Sequence, residues 1–258
     1  MRRKQTAIPV FGLFFLASLA ACSREGDTSA APPAPFPAAS AEGFWSGTTN
    51  TNRTITGVVL DDGVYWILYS AVGDPSTVAG LIQGDSNSQN GGFASSNARD
   101  FRLEGQGILN ATINGSFTIK QSLNGTIVYQ IGGQSTFTTT YNNEYEFFPD
   151  MNAAAGTYIG PITATETVTV DVLPNGAISG RSAIGSGTIV CTFTGSFSPR
   201  ARGNVFDITV TFDGQAGCRN GANTVNGIAT YDAGSKTLYS AALNDDRTNG
   251  FIFIGTKP

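Results

Sequence analysis

The side chains able to do chemistry in this sequence of 258 residues fall into few groups. Two are paired acids, Asp61-Asp62 and Asp245-Asp246, the second followed by Arg247. Carboxylate pairs serve as general acid and base in glycoside hydrolysis. Both pairs lie in turn-like text, "DDG" and "NDDRTNG", where Asp is expected for turn chemistry. Neighbouring strand residues also point to opposite faces, so adjacent acids rarely converge on one substrate. A carboxylate hydrolase is therefore the weaker expectation. A third stretch, "DSNSQNGG" at 85–92, places Asp85, Asn87 and Gln89 at the alternate spacing of a calcium loop. It has Asn90 where such a loop needs glycine and Ser96 where it needs glutamate, so a polar loop is the better reading. Histidine is absent. That excludes a Ser-His-Asp triad and removes the commonest general base and metal ligand. No nucleophile elbow, zinc-protease motif or phosphate-binding loop occurs. The expectation is a protein without catalytic activity, cofactor or metal.

The thiols divide in another way. There are three cysteines, Cys22, Cys191 and Cys218. Residues 2–4, "RRK", precede an apolar run from Ala7 to Ala21. The run is shorter than the about 20 residues of a spanning helix and fits the h-region of a secretory signal over residues 1–21. It ends in Leu19-Ala20-Ala21-Cys22, which resembles the lipobox of bacterial lipoproteins. The resemblance implies cleavage before Cys22 and lipid on its sulfur and new amino group; two or more acyl chains hold a protein stably on a bilayer. With Ser23 next, and not Asp, it implies an outer-membrane address in a Gram-negative envelope, on a face left open. The alternative is an ordinary cleaved signal with an incidental cysteine. Residues 22–42 are rich in Ala, Pro and Ser and read as a disordered tether that could reach roughly 60 Å if extended. Once exported, Cys191 and Cys218 meet oxidising conditions and read as a disulfide. Two thiols without histidine make an incomplete metal site, and their spacing is unlike a C-x-x-C redox pair.

The elements that must position these groups are strands. Charged residues are only 13%, and glycine numbers 32. "TITGVVL" (54–60), "VYWILYS" (64–70), "TVTVDVL" (167–173) and "VFDITVTF" (205–212) are β-branched and aromatic runs, several with period-2 alternation. "DDG" (61–63) and "LPNG" (173–176) read as hairpin tips, and Asn124-Gly125 reads as a third. Helix is confined to at most one turn in "MNAAAG" (151–156). The chain also carries a diverged repeat. "GFWSG" (43–47) aligns with "GTYIG" (156–160), and "LDDG" (60–63) with "LPNG" (173–176), at one shift of 113. "GILNATINGSF" (107–117) aligns with "GTIVCTFTGSF" (187–197) at a shift of 80, and "TTYN" (139–142) parallels "ATYD" (229–232). The first half thus holds about 33 extra residues in its middle, while the second continues into a final hairpin.

The expected fold is all-β: two tandem antiparallel barrels or sandwiches, 43–148 and 152–258, joined through "NEYEFFPDMNAAAG". A single large sandwich is the alternative. Repeated "GSF" strands and glycine-rich hairpins in two small domains on a lipid tether resemble the barrel lobes of surface lipoproteins such as transferrin-binding protein B. The resemblance is one of architecture and carries over no ligand residue.

Trp45, Tyr65, Trp66 and Tyr69 stand within strands, so core packing is their default role. Tyr65 and Trp66 face opposite ways; one belongs to a core, and the other is exposed or covered by the neighbouring half. The formal charge is −4, or −7 without the three cations of the first 21 residues, and this mild acidity argues against nucleic acid, whose phosphates need clustered Lys and Arg. The expected partners are the membrane, through lipid at Cys22, and a protein, glycan or other envelope component. The expected function is a non-catalytic binding or interaction module, with a carrier of a small apolar ligand in a barrel lumen as the alternative.

Overall fold

The computed structural model describes residues 40–105, 107–162, 165–185 and 187–258; the signal-like run, Cys22 and most of the tether lie outside them. The described chain forms two closed antiparallel barrels of eight strands each. In the first, β1 (Gly43–Thr49), β2 (Thr54–Val59), β3 (Val64–Ala71) and β4 (Asp74–Asp85) are followed by a short β5 (Asn87–Gln89). Then come β6 (Gly92–Arg102), β7 (Gly107–Thr118), β8 (Ser122–Tyr129) and β9 (Gln134–Asn142). The wall closes where β1 pairs with β9 and β4 with β6; β5 is appended to β6. The second barrel comprises β10 (Gly156–Pro161), β11 (Glu166–Val172), β12 (Ala177–Ile184) and β13 (Thr188–Pro199). It continues through β14 (Phe206–Phe212), β15 (Thr224–Asp232), β16 (Thr237–Leu243) and β17 (Gly250–Thr256), and closes between β10 and β17. Closure pairs each of the eight wall strands on both sides and leaves an edge only on the appended β5, which settles barrel against sandwich. Between the barrels run a 3-10 turn (Asn143–Glu146) and a one-turn helix α1 (Met151–Ala154), whose first amides are capped by the Asp150 carboxylate.

"DDG" and "LPNG" form the β2–β3 and β11–β12 turns as expected. Asn124-Gly125 does not form a turn. Both residues lie inside β8, opposite Ser116 and Gly115 of β7, and the turn falls at 119–121 with Lys120 at φ 52°. The glycine at 125 serves packing: a Cβ there would run into the Phe137 ring.

The repeat maps onto strands with one displacement. β1–β3 correspond to β10–β12, and β7–β9 to β13–β15. The extra residues of the first half are the strands around β4–β6, and the final hairpin of the second half is β16–β17. Each barrel therefore reaches eight strands from six shared ones plus a hairpin, placed in the middle in one and at the end in the other. The shared start is chemical as well as topological. Trp45 Nε1 donates to the Ala41 carbonyl at 2.9 Å, and the Tyr158 hydroxyl donates to the Ala154 carbonyl. Ala41 and Ala154 are both fully buried. Gly43 and Gly156 sit at φ 152° and 149°, a region open to glycine alone. The residues just ahead of each first strand thus fold back as the floor of their own barrel.

The barrels lie side by side. Val58, Leu60, Trp66 and Leu81 on the outer face of the first pack with Ile228, Ala241 and Leu243 on the outer face of the second, together with Val205 and Tyr145. This resolves the Tyr65–Trp66 pair: Tyr65 fills the first lumen, and Trp66 is covered by the neighbouring barrel. Ionic contacts flank the apolar seam. At the floor end Arg200 reaches Asp61 and Asp62, and Arg202 reaches Glu42. From the β16–β17 loop the Arg247 Nη2 donates to the carbonyls of Gln83 (2.6 Å) and Asn97 (2.8 Å), while Arg99 donates to the Asp246 carbonyl.

Candidate ligand-binding site

The acids singled out by sequence are tied up in structure. Arg200 Nη2 lies 2.8 Å from Asp61 Oδ1 and 3.2 Å from Asp62 Oδ2, and its Nη1 lies 2.7 Å from Asp207 Oδ1. Adjacent acids do converge here, because a turn and not a strand carries them, but they converge on an arginine. Burial opposes ionisation of Asp61, and the Arg200 guanidinium outweighs it, holding the carboxyl below its usual range. Asp246 accepts from the backbone amide and hydroxyl of Thr248 within the β16–β17 loop. Asp245 and Asp246 belong to the β16–β17 loop of the second barrel, and Asp61 and Asp62 to the β2–β3 turn of the first, where they meet Arg200. The calcium-like stretch is a hairpin. Asp85 ends β4 and bonds to Asn97, Asn87 and Gln89 belong to β5, and Asn90 makes the turn at φ 52°. Among the described residues no group of three or more His, Cys, Asp or Glu side chains could hold a metal ion.

The first lumen is filled. Trp45, Tyr65, Tyr69, Phe93, Phe117 and Phe137 interdigitate within it. Its end away from the floor is closed by Asp100, an acid no sequence pattern pointed to. Asp100 is fully buried. Its Oδ1 accepts from the Tyr69 hydroxyl at 2.7 Å, and its Oδ2 accepts from Tyr129 at 3.0 Å and from Arg102 Nε at 3.0 Å. The Arg102 guanidinium also lies 4.7 Å from the centre of the Tyr129 ring. Burial and the Asp100 charge both push the Tyr69 hydroxyl well above its ordinary pKa, so it stays a donor. Burial likewise pushes Tyr65 up to about 12.

The second lumen is hollow. It encloses about 370 Å³. Val168, Val170, Phe193, Val210, Phe212 and Phe253 form its walls, with Val172, Ile178, Phe197 and Leu238 lining it as well. The shared repeat shows why the space is there. At the inward positions of β3 the first barrel has Tyr65, Ile67 and Tyr69; at the matching positions of β12 the second has Ile178, Gly180 and Ser182. Two phenol rings are thus replaced by an aliphatic side chain and a hydroxymethyl. Ser182 lines the cavity, and its Oγ accepts from the Cys191 amide at 3.2 Å.

Over the mouth lies the loop 213–223. The Cys191–Cys218 disulfide ties it to β13, as the pair read from sequence requires. Gln215 Oε1 reinforces the tie by accepting from the Thr192 amide at 3.1 Å. Glu166, Arg219, Asn220 and Asn249 surround the opening, with Leu103 of the first barrel beside it. Trp45, Tyr65 and Tyr69, for which the sequence gives core packing as the default role, pack in the core of the first barrel. The cavity of the second lumen is built by Val and Phe positions whose alternation was legible but whose volume was not.

No protein-family model matches the chain, and no curated protein matches it.

Proposed function

We propose that this chain is a non-catalytic binding protein of the bacterial envelope, held on the outer membrane by lipid at Cys22, whose second barrel carries a small apolar ligand. The observation that carries the reading is the hollow, apolar second lumen. Its volume of about 370 Å³ falls within the roughly 300–1,000 Å³ of ligand pockets, with apolar walls and a few polar groups at one end. It favours the carrier over a module that acts only through its surface. The disulfide accords with an exported protein, since such bonds persist in oxidising compartments. A carboxylate hydrolase has less behind it, because Asp61, Asp62 and Asp246 are engaged in turn and interface contacts.

The test is native mass spectrometry of protein purified from its own envelope. A fraction should carry extra mass that organic solvent releases. Ser182→Tyr, which restores to the second barrel the ring found at Tyr69 of the first, should lose that mass and keep a cooperative melt. A clean apo mass under gentle conditions would count against the carrier. Separately, Cys22→Ala protein should leave the membrane fraction; if it stays there, the lipid anchor is wrong.

A further inference from the structure

We infer that the floor end of the two barrels docks on the bilayer that holds the Cys22 lipid, through Phe147 and Phe148 with Ile119 and Leu173 beside them. The inference rests on the lipid-anchor reading above and adds how the fold sits on its membrane. Phe148 is 83% exposed and Phe147 59%, next to each other in the linker between the barrels. Rings of that size gain by leaving water, and a contiguous exposed apolar patch marks an interaction surface. Ile119 and Leu173, each about half exposed, extend the pair onto both barrels. Lys120 Nζ lies 2.8 Å from Glu146 Oε2, which sets the Ile119 turn against the linker just before Phe147. On the other side the Met151 methyl of α1 would lie 3.8 Å from a Cβ at Gly176, in the turn that Leu173 opens.

The tether names the occupant. Only residues 23–39 separate Cys22 from Ser40, at most roughly 60 Å of chain. The described chain begins at this same end. Ala41 is buried under the first barrel, and the Glu42 carboxylate accepts from the Tyr145 hydroxyl at 3.1 Å, two residues before Phe147. A lipid held that close makes contact with the bilayer an intramolecular event, so a weak contact suffices. Phenylalanine and aliphatic side chains suit the boundary between headgroups and acyl chains. Lys120 is paired with Glu146, so the attraction is apolar and not cationic. Successive turns of an antiparallel barrel alternate between its ends. The loop 213–223 comes three turns after Leu173 and lies at the other end. With the floor on lipid, the mouth of the second lumen therefore faces away from the membrane.

The experiment holds the mature chain from residue 22, with Cys22→Ala and an N-terminal histidine tag, on phosphatidylethanolamine–phosphatidylglycerol vesicles that contain a nickel-chelating lipid. Cys191 and Cys218 are bridged, so an added cysteine is the one free thiol for a fluorophore. The label goes at Leu173→Cys, on the floor, or at Ile131→Cys, which is 76% exposed in the turn at the far end of β8. Nitroxide-bearing phospholipid should quench the label at 173 and spare the label at 131. Phe147→Ser and Phe148→Ser should each lower the docked-to-free ratio about tenfold, the worth of one ring withdrawn from water, with the melting temperature unchanged. Quenching at 131 that equals or exceeds that at 173 overturns the orientation. Absence of quenching at both positions overturns docking and leaves the Phe pair to a protein partner. Quenching that survives both serine substitutions together removes the pair from the contact. The nickel lipid supplies the tether, so none of these outcomes depends on lipid at Cys22. That reading stands or falls on the fractionation of untagged Cys22→Ala protein, which the weak contact alone does not hold on the membrane.

Discussion

The first barrel spends its interior on itself and the second does not. Both begin with an aromatic residue anchored to a buried alanine carbonyl, and both share six strands in the same order. They part at the inward positions of one strand, Tyr65-Ile67-Tyr69 against Ile178-Gly180-Ser182. In the first barrel Tyr69 reaches Asp100 and the end is sealed by a satisfied polar cluster. In the second, serine stands in its place, and the end is spanned by a disulfide-held loop above empty space. The lesson is that a duplicated barrel can turn from filled to hollow through a few side chains, with its floor and wall topology intact. One barrel can then act as a scaffold while the other holds a ligand.

The largest test of this contrast is Asp100→Ala. It leaves Arg102 and two phenol hydroxyls without their common acceptor, and breaking a buried charge cluster costs about 3–5 kcal/mol. Denaturant unfolding should show a first transition shifted by that amount, while ligand carried by the second barrel is retained. Loss of both would mean the barrels do not divide the labour. Next comes the disulfide. Replacing Cys191 and Cys218 together by Ser should lower stability by about 3.5 kcal/mol, given the 27-residue separation, and should speed ligand release. A destabilised protein with unaltered release rates would show that the loop does not guard the mouth.

A smaller effect probes what the barrels share. Tyr158→Phe removes the hydroxyl that bonds Ala154 and should cost about 1 kcal/mol. Trp45→Phe should cost somewhat more, because the ring shrinks as well; a negligible change in both would undo the equivalence of the two floors. The smallest concerns the seam. Arg200 depresses the Asp61 pKa below 3.8, so this contribution is present above that value and is lost as pH falls through the lower, folded pKa. The pair is partly exposed, and its worth is about 0–1 kcal/mol. In Arg200→Met the part of the acid transition due to Asp61 should vanish from a stability-against-pH curve; an identical curve would remove Arg200 from the account.

Much of this architecture was legible in the sequence. The alternation of Val168, Val170 and Val172 marked an inward face, and the collinear repeat located both the added hairpin and the final one. Three features were not legible, each for a physical reason. Asn124-Gly125 has the residues of a turn, but a glycine is equally required where the Phe137 ring crosses a strand. Asp100 escaped because the β6–β7 register shifts between Ser95 and Ala98, so simple alternation from Phe93 assigns it to the wrong face. The cavity escaped because volume depends on which side chains meet across a closed wall, and one strand read alone does not say what its neighbours leave vacant.

The floors have a consequence for how such a protein can be divided. The second barrel's first strand starts at Gly156, yet its base is Ala154, presented by α1 under the Asp150 cap. Lys257 Nζ then donates to the carbonyls of Ala153 and Ala155, so the last residues of the barrel clasp the helix that precedes the first strand. The segment that makes up the second barrel is thus longer than its strands. It runs from Asp150 through Lys257, and a gene fragment that starts at the first strand would specify a tube with no bottom.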